Sequence, residues 1–535
     1  TGRPFRLQQP ALWQPIINHK LRGPFPHACG KTFGPMTAIS FDMAQAPPTR
    51  RHAARGLWLV LFLALFALAV RFPFLGDHNA DIDEQLYALI GSQMWQGQLP
   101  FVDLWDRKPF GLFALFGLAD ATGLPAPWSY QLLATGFIVL GAVLLRNLAI
   151  HLTDSVTASA AAVLYIVLMT IYGSHSAQSE IYHVPAMLGM ALLVRDTGHP
   201  QALQRALLAM VIGGLALQVK YTVVPQCVFF GLWALWGQYR SGRSLAQLSA
   251  VGIAFAALGL APTLLVGLFY FAVGGWDQFW FANFVSFFLR EPAPMGRFAE
   301  RHTLFLMPLV VLALAGFYAS LRMSPPADRR SYRFFCAMLG ASVATVFLPS
   351  TVYAYYFAAL VPGVLLVALP FLHRQGPAGL APLAAATVAC IGLLYLPERY
   401  EASQNHREAM DGLVAAIQPH VDEQEACLWV FDGPTALYSA TGSCLPTRLI
   451  YPDHLNNALE RNSLEVRQID EVRRILDTGP PVVVTADRPF TQQNLETLDY
   501  VETTLPQGYI VIAEERIHDR GLAVWLRRDL LSTSR

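Results

Sequence analysis

Apolar runs long enough to cross a bilayer constrain this chain more than any other feature. About 20 consecutive apolar residues span the hydrocarbon core. Such runs recur near 56–74, 128–150, 156–173, 181–195, 204–219, 222–238, 247–273, 303–322, 332–349, 354–372 and 378–396. They predict a polytopic α-helical membrane protein of about 11 transmembrane helices, or up to 13 if shorter runs are counted. The run at 110–122 is too short to span alone and reads as re-entrant or interfacial. Charged residues make up 14% of the chain, against about 25% in soluble domains. A net charge of +1 with no basic stripe argues against a nucleic-acid partner.

Positive charge orients the bundle. Arg195, Arg205, Arg240, Arg243, Arg322, Arg329, Arg330, Arg333 and Arg374 fall in alternate short loops, which therefore face the cytoplasm. The N-terminus is then inside, and the outer segments are 75–127, 174–180, 274–302, 350–353 and everything after about 397. In a bacterium this predicts a multi-pass protein of the inner (cytoplasmic) membrane with a periplasmic C-terminal domain. Residues 1–55 are basic, with Asp42 their only acid, and read as a disordered leader ahead of a transmembrane domain at 56–396.

The tail, 397–535, changes character. Short β-rich runs at 427–431, 481–485, 509–513 and 522–526 alternate with helical patterns at 407–417 and 464–476. Strands interleaved with helices predict a soluble α/β domain. Cys427 and Cys444 lie together in it, on the oxidising side, as either a disulfide or two separate thiols.

The chemistry concentrates in the first outer segment. Asp77, Asp81, Asp83, Glu84, Asp103 and Asp106 crowd into 77–111 of a chain that otherwise avoids charge. From Glu84 onward Tyr87, Ile90, Gly91 and Met94 recur at helical spacing, predicting an amphipathic helix along the outer membrane face, capped by Asp81 and Asp83. Isolated acids before a helix are usually only caps. Here Asp103, Asp106, Arg107 and Lys108 return to the same level, and ionisable clusters at a membrane face favour function.

These residues carry a family resemblance. D-E-x-x-Y (Asp83, Glu84, Tyr87) followed by P-F-x-D-x-W-D-x-K-P (Pro100 to Pro109) resembles the first periplasmic loop of the GT-C membrane glycosyltransferases. It is similar to that of bacterial enzymes of the protein O-mannosyltransferase and lipid A aminoarabinose transferase type. The resemblance continues through S-A-Q-S-E (Ser176 to Glu180), G-L-A-L-Q-V-K (Gly214 to Lys220) and Y-A-Y-Y-F-A-A-L-V-P-G (Tyr353 to Gly363). It covers roughly residues 56–400 and rests on the order of four motifs rather than on any one of them.

The resemblance implies an inverting glycosyltransferase that moves a sugar from a polyprenyl-phosphate carrier to a glycan, lipid or protein acceptor at the outer face. A lipid phosphate leaves as a stable anion, so the reaction needs a carboxylate to accept the acceptor's proton and cations to hold the phosphate. By motif match Asp83 is the candidate base and Glu84 its neighbour. Asp81 completes a D-x-D-E cluster in which Asp81 and Asp83 offer ligands for a divalent cation such as Mg or Mn. Tyr87, Asp103, Asp106 and Lys108 are the donor-binding candidates of the same loop, with Lys108 the foremost phosphate contact. Lys220 interrupts an apolar stretch and needs a partner, either a lipid phosphate or Glu180. Arg290 and Arg297 in the outer loop 274–302 offer further phosphate contacts, and Tyr355 and Tyr356 offer a sugar wall. Each has a plainer reading: a snorkelling lysine, a helix-capping glutamate, interfacial anchors. A transporter or channel, a polysaccharide polymerase or ligase, and a non-catalytic carrier-binding protein are the rival classes.

Overall fold

A computed structural model of the chain describes residues 50–292, 299–349, 351–374 and 379–532. The expected leader lies outside the described residues up to residue 49, as does Arg297. Residues Ala54–Arg535 form one compact unit.

Helices cover all eleven apolar runs. They are α1 (Arg50–Arg71), then, after the loop helices α2 (Asp83–Trp95) and α3 (Phe110–Asp120), α4 (Trp128–Ala149), α5 (Ser155–Ile171), α6 (Ser179–Val194), α7 (Ala202–Leu217), α8 (Val224–Arg240) and α9 (Leu245–Ala272). The short α10 (Trp276–Trp280) and α11 (Ser286–Leu289) precede α12 (Ala299–Arg322), α13 (Arg329–Phe347), α14 (Val361–Leu372) and α15 (Ala381–Leu394). Six segments are long and apolar enough to cross a membrane by length and composition. Three further apolar helices, α5, α6 and α7, have 17, 16 and 16 residues. The chain is a polytopic membrane protein. Its outward apolar residues, such as Ile253 and Leu265 on α9 at 71% and 66% exposure, are stable there because hydrocarbon and not water is the solvent.

Small residues set the closest helix approaches, as expected where lipid supplies no hydrophobic drive between helices. A Cβ on Gly316 of α12 would lie 2.3 Å from Ala368 Cα on α14. One on Gly91 of α2 would lie 2.6 Å from the Gly117 amide of α3. Helix α2 therefore does not float on the membrane surface as an amphipathic helix. It is clamped against α3 below, and Gln85 reaches upward to accept the Ala436 amide at 3.0 Å.

Above the bundle, α16 (Leu396–Ile417) follows α15 across Tyr395, whose φ of 40° breaks the helical ladder. A four-stranded sheet follows: β1 (Leu428–Val430), β2 (Val482–Ala486), β3 (Tyr509–Ile517) and β4 (Arg520–Arg527), in the order β1-β2-β4-β3. β1 and β2 are parallel, and the two pairs involving β4 are antiparallel. A disulfide joins Cys427 to Cys444 beside β1. The layer is stapled to the first outer segment by the Trp105 amide donating to Arg448 O at 2.9 Å and by the His406–Asp77 pair at 2.9 Å.

Candidate active site

Asp83 is the point where four parts of the chain meet. It opens α2, but the N-cap position belongs to Ile82, so the capping expected of Asp83 is corrected. Asp81 instead accepts the Asp83 amide at 3.1 Å from outside the helix. The Asp83 carboxylate is thereby left to other partners. Oδ1 accepts the Tyr451 hydroxyl at 2.9 Å. Oδ2 accepts the Tyr355 hydroxyl and the Gln178 amide, each at 3.3 Å, and stands 4.0 Å from Lys108 Nζ. Its side chain keeps 21% exposure, so it is reachable as well as held.

Asp81 shares the Gln178 amide, at 3.0 Å. Burial first, and the neighbouring Asp83 charge second, push its carboxyl up to about 7.

Glu84, expected beside Asp83, turns the other way. One helical step of about 100° carries it inward, where it is wholly buried. It accepts the Ser176 hydroxyl and the Ala177 amide. Arg71 holds the same loop from below, donating to Thr135 Oγ1 at 3.0 Å, to Ser174 O at 2.5 Å and to Ser176 O. Glu84 is placed to fix the loop that carries Gln178, and it does not face the site.

The second acidic turn divides likewise. Asp103 is exposed and accepts the Leu99 amide at 2.7 Å, so it serves its own turn and is corrected out of the cluster. Asp106 is buried, accepts the Lys108 amide at 2.7 Å and lies 3.6 Å from His454 Nε2. Burial alone would raise its carboxyl; His454, Lys108 and Arg107 outweigh that and hold it below the usual carboxylate range. It shapes the turn that aims Lys108. Lys108 Nζ lies 5.4 Å above the ring of Tyr87, which is itself packed edge-on against Phe113 and Phe116.

Lys220 finds its partner in Glu180, and the pair is buried. Lys220 Nζ also sits 3.9 Å above the Tyr356 ring and 5.6 Å from that of Tyr355. A chain of contacts therefore runs from Glu180 through Lys220 and Tyr355 to Asp83. Arg290 stands further out, with Nε 2.7 Å from Glu460 and Nη2 donating to the Tyr353 hydroxyl at 3.0 Å. Arg107 pairs with the same Glu460. Burial would raise the Glu460 carboxyl, but the two arginines draw it down to about 2.

Sequence reasoning missed Tyr451, His454, Glu460 and Gln178. Gln178 lay inside a motif already singled out, and an amide beside clustered carboxylates was its available signal. The other three sit in the tail, more than 340 residues from Asp83, Asp106 and Arg107, with no local pattern to mark them.

As a metal site the acidic cluster is thinly built. Among the described residues no three His, Cys, Asp or Glu side chains are arranged to hold a metal ion. Asp81 and Asp83 form a pair without Glu84, and Asp83 is already met by two phenols, an amide and a nearby ammonium. A hard divalent cation takes several oxygen ligands with no competing cation beside them; this donor set suits a proton-accepting carboxylate instead.

A helical membrane bundle, an acidic helix on the loop after its first helix and an α/β layer closing over that helix make up the fold. The chain is similar to ArnT from Cupriavidus metallidurans in two crystal structures. In the apo state the TM-score is 0.59 at 15% identity, over 88% of this chain and 98% of that one. In the structure bound to undecaprenyl phosphate it is 0.56 at 16% identity, over 87% and 98%. At such identity the likeness is one of fold. No protein-family model matches the sequence, and no curated protein does.

Proposed function

We propose that the protein is an inverting glycosyltransferase that takes a sugar from a polyprenyl-phosphate donor and gives it to a glycan, lipid or protein acceptor at the outer membrane face. The observation that carries the reading is the juxtaposition at Asp83: a partly exposed carboxylate with an ammonium, Lys108, 4.0 Å away, at the mouth of a GT-C-like bundle. The ArnT structure that holds undecaprenyl phosphate supports the choice of carrier.

The chemistry follows from these groups. Asp83 accepts the proton of the acceptor hydroxyl as that oxygen bonds to the anomeric carbon. The bond from that carbon to the phosphate oxygen breaks, and the lipid phosphate leaves as an anion. Lys108 stabilises it where its charge develops. The donors on Asp83, Tyr451, Tyr355 and Gln178, fix its rotamer before the acceptor arrives. Lys220, Tyr355 and Tyr356 position the wall beside it. The N-terminus is cytoplasmic and the α/β layer periplasmic in this reading, which places Asp83 with the lipid-linked donor.

The test is sugar transfer from radiolabelled polyprenyl-phosphate sugars in membranes, wild type against Asp83→Asn at matched expression. Loss of at least about 100-fold with carrier binding retained is expected. Full activity of Asp83→Asn, or no transfer by wild type from any donor, overturns the reading. Transfer is expected to persist in chelator; its loss would make Asp81 and Asp83 cation ligands.

A further inference from the structure

Histidines from three separate elements gather at the short turn that leads from α1 to Asp81. Asp77 opens that turn: its Oδ1 accepts the Asn79 amide at 2.8 Å, and its Oδ2 accepts Nδ1 of His406, on α16, at 2.9 Å. His518 sits at the tip of the β3–β4 hairpin, and its Nε2 donates to Asn79 O at 3.0 Å. Its ring centre is 4.2 Å from that of His406. From the loop between α5 and α6, His175 Nε2 donates to Ala80 O at 2.8 Å. His78 lies within the turn itself. The remaining charges around the pair are Arg407, which donates to Leu75 O, and Asp411 on α16, then Glu515 and Asp519 on the hairpin, and Arg520, which is paired with Asp432.

The neighbours of His406 fix its protonation state. Nδ1 faces a carboxylate and carries a proton. Nε2 faces the His518 backbone N–H, 3.4 Å away, and therefore carries none. The docked hairpin thus requires a neutral imidazole. A proton on Nε2 sets a donor opposite a donor and a charge beside the His518 ring, while Asp77 gains an ion pair from it. His518 works in the same sense. The two-residue turn between Ile517 and Arg520 holds it at a φ of 57°, a position usually given to Gly, Asn or Asp. Partial burial of its ring first, and His406 second, lower its imidazole below the ordinary histidine range. His78 shifts the same way, with burial outweighing Asp77 and Asp411. The docked state therefore holds fewer protons than the released one. Docking is at full strength above about pH 6.5 and weakens as pH falls below it.

We propose that Asp77, His406 and His518 form a proton-operated latch between the α/β layer and the loop after α1: with His406 neutral the hairpin tip holds the turn that precedes Asp81 and Asp83, and a proton on His406 releases it. His175 is not part of the release. Burial above all, with Arg71 and Arg399 adding to it, pushes its imidazole down to about 4, so it stays neutral and keeps its hold on Ala80 while the others titrate. Asp77 likewise keeps His406 in either state, so the hairpin contact alone is what a proton breaks. The latch stands independently of the glycosyltransferase reading.

The experiment is amide hydrogen exchange on the purified full-length protein at about pH 7.5 and about pH 5.5, with protection corrected for the intrinsic effect of pH. One proton taken up with an ordinary value near 6.5 weakens docking about tenfold over that range. Peptides covering 514–522 are therefore expected to lose about tenfold or more in protection, while β2 keeps its own. His406→Gln has an amide that donates and accepts at both pH values; it should keep the protection seen at neutral pH and abolish the acid loss. His518→Asn tolerates the same backbone angle and should lose less protection in acid than wild type. The latch is overturned if the wild-type turn shows no acid loss, if β2 loses protection along with it, or if His406→Gln retains the full loss. Should His406→Gln fail to fold, His518→Asn decides: an acid loss equal to that of wild type overturns the latch, and a smaller one supports it.

Discussion

Asp81 is a half-buried carboxyl and Glu460 a buried one, and the fold moves them in opposite directions. Asp81 is carried from an ordinary 3.8 to about 7, with burial the main cause. The native state then holds a proton that the unfolded chain has released, so the contribution of Asp81 to stability is full below about pH 4 and is lost as pH rises towards 7. Glu460 is drawn from 4.5 to about 2 by Arg107 and Arg290, against the cost of burial. Its contribution is present above about pH 4.5 and is lost as pH falls towards 2. At roughly 1.4 kcal/mol per pKa unit, Glu460 supplies on the order of 3 kcal/mol at neutral pH. Thermal unfolding midpoints across pH check both. Asp81→Asn should flatten the profile between about 4 and 7, and Glu460→Gln the profile between about 2 and 4.5. At neutral pH Glu460→Gln should also lower the midpoint, because two half-buried arginines lose their counter-charge.

At the scale of elements, the position of Asp83 depends on how closely α2 lies on α3. The Gly91–Gly117 contact is backbone to backbone, with no flexible side chain to yield. Gly91→Ala places a methyl 2.6 Å from the Gly117 amide nitrogen and 2.9 Å from the Phe116 carbonyl carbon. The helices must separate, at a cost of roughly 1–3 kcal/mol, and Asp83 moves with α2 away from Tyr355 and Tyr451. A loss of transfer out of proportion to the loss of folded protein is expected, measured as specific activity of the monodisperse fraction. The disulfide works on another element. It closes a loop with a sequence separation of 17 beside β1, and such a loop contributes about 3 kcal/mol. Replacing both Cys427 and Cys444 by Ser should lower the denaturant midpoint for proteolysis of the C-terminal layer by a comparable energy and leave the membrane helices resistant.

Across the whole molecule, the α/β layer and the outer loop form one structure. Tyr451, His454 and Glu460 reach down, while Gln85, Asp77 and the Trp105 amide reach up. Cutting the chain after Ile417 would leave Arg107, Arg290, Asp106 and Asp83 without partners from that layer. Such a truncation is expected to insert in the membrane, where helix formation and lipid contact are local, and to transfer no detectable sugar. Separate expression of the tail should not restore transfer unless the two pieces reassemble, which co-purification would report.

Much of the fold was legible because its causes are local. Apolar length predicted every helix of the bundle, since in hydrocarbon each backbone group must be satisfied within its own segment. The four β-rich runs matched the four strands, because alternation and branched residues act over a few residues. Lys220 with Glu180 was legible too: a charge inside an apolar stretch demands an opposite one nearby. Other features were not local. Asp83 and Glu84 are adjacent in sequence, yet the turn of one helix sends one to the site and the other into the core, and only packing against the Ser174–Gln178 loop decides which. Asp103 and Asp106 looked alike until a turn exposed one and buried the other.

The sequence by itself determined that the chain lives in a membrane, that its acids and Lys108 gather on the loop after the first apolar run, and that an α/β segment follows the bundle. These follow from solvent matching, hydropathy and short-range propensity. The tertiary structure alone decided which acids converge, that Tyr451 meets Asp83 across 368 residues, and that one glutamate ties two arginines from separate loops. Contacts of that separation are set by how completed helices and sheets stack, and no short stretch of sequence contains the information.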